Sequence, residues 1–118
     1  MKVQEVVSAL GLQVVAGASA LDREITAGYT SDLLSCVMAK ARAGNIWVTL
    51  QAHPNVVAVA SLLNLAAVVI SEGMTPSEET VARAEEHGIP LLLCPKDSFT
   101  IVGRLAALGI RGNDESAA

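Results

Sequence analysis

Aromatic residues are nearly missing from this chain. One Trp, one Tyr and one Phe make up 3% of its 118 residues, although 52% are apolar. A core built without large rings must come from Val, Leu, Ile and Ala, side chains that suit buried parallel strands with helices over both faces. Cysteine is scarce as well. Cys36 and Cys94 lie far apart and form no CxxC pair, which argues against a disulfide framework and a four-ligand zinc site and makes a reducing cytoplasm the expected compartment. Positive charge is in deficit, with 8 Lys and Arg against 12 Asp and Glu and a net charge of −4. No basic stripe is available to neutralise a phosphate backbone, so nucleic acid is not an expected partner.

Long apolar runs are also lacking. The most apolar stretch, residues 56–70, is broken by Ser61 and Asn64 and is shorter than the ~20 residues that span a bilayer. The amino terminus carries Glu5 where a signal peptide would be uninterrupted and apolar, so neither membrane insertion nor secretion is expected. No GxxxxGK[ST] loop, no GxGxxG after a strand and no nucleophile elbow occurs, which removes the central part of a nucleotide kinase, a dehydrogenase or a serine hydrolase. No catalytic residue, metal ligand set or cofactor is assigned.

What is present is a regular alternation. Val3, Val6, Val7 and Leu10 recur at spacings of three and four, one stripe of a helix over 2–10 that Gly11 stops. Residues 12–15 and 25–29 are candidate strands. A helix over 32–43 follows, with Thr30 or Ser31 as its cap and Gly44 as its end. Strands are predicted at 45–50, 67–70 and 91–93 and helices at 55–65, 75–86 and 98–108, with Thr75 or Ser77, and then Ser98, as caps. Short connections between alternating strands and helices are the mark of right-handed βαβ units. The expected fold is therefore α/β: a small parallel or mostly parallel sheet flanked by helices. A single domain is expected over 1–110, with a flexible tail over 111–118.

In such a sheet the turns leaving the carboxyl ends of the strands share one edge, where ligands sit near a topological switch point. Polar residues gather in those turns. Gln51, His53 and Asn55 can read an amide, a hydroxyl or a phosphate oxygen, and a histidine can carry a proton near neutral pH. In the purely structural reading Asn55 orients the helix start, Pro54 fixes the turn and His53 is solvated. Tyr29, Thr30, Ser31 and Asp32 stand at a helix N-terminus that can attract an anion, and the same residues serve as ordinary caps. Gly73 either lets backbone approach a ligand or supplies a positive φ. Cys94 lies on this edge too and can be imagined meeting His53 in a redox or metal site that still lacks two ligands. Val56, Val59, Leu62 and Leu63 form a helix face available either to the core or to a second copy.

The segments GYTSDLLS from Gly28, WVTLQAHPNVVAVA from Trp47 and VISEGMTPSEETVARAEEHGIPLL from Val69 resemble the DRTGG domain family, over roughly residues 28–105. The naming signature is not literal, since Asp22-Arg23 is followed by Glu24. The resemblance implies a fold like the N-terminal domain of HPr kinase/phosphorylase and a regulatory or architectural role beside catalytic domains, as in phosphate acetyltransferases and CBS-containing pyrophosphatases. It implies a stand-alone regulatory or ligand-binding module, expected to be a homodimer, that senses a nucleotide or other small anionic, phosphate-bearing ligand and acts on a partner enzyme. A small enzyme or redox carrier built on His53 and Cys94, and a purely structural dimerisation scaffold, are the alternatives.

Overall fold

Two consecutive runs, Ile46-Trp47-Val48 and Ala67-Val68-Val69-Ile70, have every residue buried, the burial pattern of central strands covered on both faces. The computed structural model describes residues 1–115 and places these runs in the middle of a five-stranded sheet. In chain order the elements are α1 (Val3–Leu10), β1 (Gln13–Ala16), a 3₁₀ turn (Ala18–Ala20), β2 (Ala27–Thr30), α2 (Leu34–Lys40), β3 (Asn45–Thr49), α3 (Asn55–Leu62), β4 (Ala67–Ile70), α4 (Glu78–His87), β5 (Leu91–Leu93) and α5 (Ser98–Ala107). The strand order is β1-β5-β4-β3-β2. Strands β2 to β5 are parallel and β1 runs antiparallel to β5, so the sheet is mostly parallel.

Side chains partition by the two-residue period of a strand. Trp47, Val68, Ile70 and Leu91 face one core with Val37 of α2, Val56 and Val59 of α3 and Ala84 of α4. Ile46, Val48, Val69 and Leu92 face the other, with Val3 and Val6 of α1 and Ile101 and Leu105 of α5. Three crossovers move β2 to β5 across the sheet in one direction, and the fixed hand of such connections puts α2, α3 and α4 on the same face. The opposite face is left to α1 and α5.

The chain must also pass from β1 on one edge to β2 on the other. Residues 17–26 make this passage: four strand gaps amount to about 19 Å, within reach of ten residues. Gly17 begins it with φ +74°, and a Cβ there would collide with the Ile89 carbonyl. Arg23 anchors the middle by donating to Asn64 Oδ1 at 2.5 Å. Strand β1 accommodates the sheet's twist with a bulge, since its pairing with β5 shifts between Val14 and Ala16.

Several element ends differ from the sequence expectation. Helix α2 is shorter at both ends, because Leu33 and Ala41 are extended and Asp32 is held by the next strand. Helix α3 stops at Leu62 rather than 65: Asn64 turns left-handed, φ 56°, and Leu65 N–H reaches back to Ala60 O. The α5 cap is Asp97, whose side chain accepts from Thr100 N–H, not Ser98. Val56 and Val59 are buried and Leu63 half-buried, so of that helix face only Leu62 is exposed, at 70%.

The polar segment after Ile110, expected to fray, is instead held to the sheet through Asn113. Gly28 N–H donates to Arg111 O at 2.8 Å and Gly28 bridges Gly112 in parallel. Asn113 Nδ2 donates to Lys40 O and to Asn45 Oδ1. Residues 111–113 thus form a strap along the outer edge of β2. Residues 116–118 of the expected tail lie outside the described residues.

Candidate functional site

Strands β2, β3 and β4 each run into a hydroxyl residue at their carboxyl end: Thr30, Thr49 and Ser71. These three hydroxyls knit the edge together. Thr30 Oγ1 donates to Val48 O at 2.8 Å. Thr49, fully buried, donates its hydroxyl to Asp32 Oδ1 at 2.9 Å, and the same carboxylate oxygen accepts Leu50 N–H at 2.9 Å. Ser71, also fully buried, is hydrogen-bonded through its hydroxyl to Ser98 Oγ at 2.6 Å. Asp32 therefore lashes the turn after β2 to the end of β3 and does not cap α2.

The remaining residues singled out at this edge bond inward in the same way. Gln51 Nε2 donates to Asp32 O at 3.1 Å, and Gln51 N–H donates to Thr49 Oγ1. Ser31 Oγ accepts Leu33 N–H, and its carbonyl accepts Trp47 Nε1–H at 2.9 Å. Tyr29 OH reaches Cys36 O at 3.5 Å. His53 Nδ1 accepts Asn55 N–H at 3.0 Å, so the imidazole satisfies one of the free N–H groups at the start of α3. Asn55 is exposed, with its backbone rather than its side chain in that bond. Thr80 at the start of α4 pins the loop by donating to Ala52 O at 2.8 Å.

A crevice forms at a carboxyl edge where neighbouring strands send their connections to opposite faces. Connections after β2, β3 and β4 all go to the α2–α4 face, so the turn at 51–55 does not open one. The split falls between β4 and β5, since α5 covers the other face. Glu72, which the sequence does not single out, closes it: its N–H donates to Lys96 O at 2.8 Å and its carboxylate accepts Ser98 N–H at 2.8 Å. Holding Glu72 at φ 63° costs about 1–2 kcal/mol in a residue with a side chain, and these two bonds over-determine it. Gly73 follows at φ +72° with open space around its α-carbon. The signal for Thr49 and Ser71 was in the sequence as a hydroxyl residue directly after an apolar run; their partners were not.

The structure does not bring His53 to Cys94. Cys94 is 6% exposed in the core under α1 and α5, whereas His53 stands exposed at the head of α3, beyond the opposite face. Among the described residues no group of three or more His, Cys, Asp or Glu side chains is placed to hold a metal ion, and no buried side-chain nitrogen or oxygen lacks a partner. No described helix is long and apolar enough to cross a membrane.

One carboxyl group is electrostatically marked. Asp97 is held below its ordinary value chiefly by the Thr100 N–H bond, then by the Thr100 hydroxyl, with Lys96 adding attraction. These are the influences of a helix cap.

Fold and edge together define a three-layer α/β domain whose parallel strands are wound in one direction and whose edge is closed by its own side chains. The chain belongs to the DRTGG domain family, which it matches over residues 5–108. Among solved structures it is similar to the CBS and DRTGG domains of the regulatory region of Clostridium perfringens pyrophosphatase, complexed with the activator diadenosine tetraphosphate. The TM-score is 0.68 at 15% identity, over 98% of this chain and 50% of that one. The chain thus spans about half the length of that solved regulatory region, and the likeness is one of fold. No curated protein matches the chain.

Proposed function

We propose that this protein is a regulatory, ligand-binding module that performs no chemistry of its own and acts on a partner protein. The observation that carries the reading is the carboxyl edge. In an enzyme of this architecture it would present a nucleophile, a base or an anion cradle, whereas here Asp32, Thr49, Gln51, Ser71 and Glu72 are engaged in holding the loops to one another. Membership of the DRTGG family supports a regulatory role, and the similar pyrophosphatase region was solved with a nucleotide activator. A nucleotide or phosphate-bearing small molecule is accordingly the ligand class proposed for this chain, and a homodimer in the cytoplasm its proposed working state.

A thermal-shift panel of adenine nucleotides, phosphate, acetyl phosphate and divalent metals tests this reading. A ligand of the native state at one hundred times its dissociation constant adds about 2.7 kcal/mol, on the order of 10 °C in Tm for a domain of this size. A response to at least one phosphate-bearing compound is expected. A flat panel would sink the ligand-binding reading and favour the scaffold.

A further inference from the structure

On the α5 face of the sheet, β3 presents Ile46 and Val48, and their register partners on β2 are Gly28 and Thr30. The edge strand therefore brings one hydrogen and one short polar side chain where its neighbour brings two branched aliphatics. Helix α5 leans over β3 and β2, and the strap 111–113 runs along the outside of β2. Between them lies an open hollow of about 820 Å³, within the roughly 300–1,000 Å³ typical of small-molecule sites. Its apolar wall is Val102, Leu105 and Ala106, and its rim carries Lys40, Arg42 and Arg111.

The charge distribution at this place is unusual for the chain. Three of its 8 Lys and Arg line one hollow in a molecule of net charge −4. Asp114 and Glu115 also line the hollow, and Glu115 meets Arg111 at 3.6 Å. No carboxylate stands within ion-pair distance of Lys40 or Arg42 among the described residues.

We infer that this hollow between α5, β2 and the strap is the ligand site of the module, and that it takes a phosphorylated organic molecule of nucleotide size. The phosphates lie at Lys40 and Arg42, and the apolar portion lies against Val102 and Ala106. The inference rests on the ligand-binding reading above but moves the site from the carboxyl edge to the β2 edge. Cations with no carboxylate partner among the described residues, together with aliphatic side chains in the same hollow, select an amphipathic anion over inorganic phosphate, which would leave the apolar wall wet.

The test uses the full chain, ¹⁵N-labelled, with ATP, adenosine and inorganic pyrophosphate as three probes in amide-shift titrations. ATP is expected to bind at least tenfold more tightly than either of the others, shifting amides of residues 28–30, 102–106 and 110–113. Ala106→Trp, which fills the hollow from an exposed position, and the pair Lys40→Glu with Arg42→Glu should each weaken ATP at least tenfold with little change in Tm. Gln51→Ala and Asn55→Ala should leave binding unchanged. If ATP shifts residues 51–55 and 72–74 instead, and the groove variants bind normally, the groove assignment fails while the module reading stands. If ATP does not bind, the assignment fails, and the broader panel decides the module reading separately. If Ala106→Trp changes the oligomeric state with no ATP binding in the parent, the hollow is a contact between copies and the assignment is overturned.

Discussion

Single residues in this fold are judged by what surrounds them. Gly17 and Gly73 both have positive φ, +74° and +72°, but a Cβ at Gly17 meets the Ile89 backbone and one at Gly73 meets nothing. Gly73→Ala is therefore expected to cost about 1–2 kcal/mol, the left-handed penalty alone. Gly17→Ala must in addition displace backbone and should cost well above that, in the range where a small domain ceases to fold; urea denaturation of the two variants measures the difference. Asp97 makes an acid-side prediction. Its carboxyl is held below its ordinary value in the folded chain, so its contribution is present above the unfolded value and is lost as pH falls through the folded one. Asp97→Asn keeps a capping oxygen and removes the titration. The fall in urea midpoint as pH drops below about 4 should be shallower in the variant, and an unchanged slope would show that the cap is not what titrates.

At the scale of elements, what could be seen from the sequence was governed by how local the cause was. Strands β4 and β5 lie where their apolar runs place them, at Ala67–Ile70 and Leu91–Leu93, because burial on both faces leaves a continuous signal. Of the two candidate caps, Thr75 and Ser77, it is Ser77 that caps α4, through Thr80 N–H. The start of α2 was not legible, because Asp32 had two competing partners and the winning ones, Thr49 Oγ1 and Leu50 N–H, come from another strand. The polar turns at 30–32 and 51–55 could likewise be found, but not that their polar groups would bind each other. The strap escaped notice because Arg111, Gly112 and Asn113 look like a solvated terminus until β2 supplies their partners. Removing residues 111–118 deletes the bonds to Gly28, Lys40 and Asn45, worth about 2 kcal/mol together. The shortened chain should melt roughly 5–10 °C lower and, with an uncovered strand edge, should self-associate more on gel filtration.

For the molecule as a whole, one-directional winding decides which surfaces are free. Three helices share a face; Met38 of α2 at 43%, Leu62 of α3 at 70% and Leu33, just ahead of α2, at 60% exposure are open to solvent there. The homodimer proposed above would draw on that side. Light scattering at micromolar concentration should read twice the 12.2 kDa chain mass, and Leu33→Glu with Leu62→Glu should return the single mass without loss of helix signal. A strict monomer in the parent protein would remove the dimer from the picture. Trp47, the lone tryptophan, is fully buried and hydrogen-bonded to Ser31 O, so its fluorescence reports the joining of β2 to β3 during unfolding.

The antiparallel pairing of β1 with β5 has a consequence for how the chain is made. Gln13 leaves the ribosome roughly 80 residues before its partner Leu93, or about 4–16 s earlier at ordinary translation speeds. Until then β1 has no neighbour, and α1 has no Leu92, Cys94 or Ile101 against which to set Val3 and Val6. The β2–β4 units can assemble as they emerge. Helix α1 and strand β1 thus cannot complete their packing until β5 and α5 have been made, and they are the stretch a chaperone would have to shelter on a nascent chain.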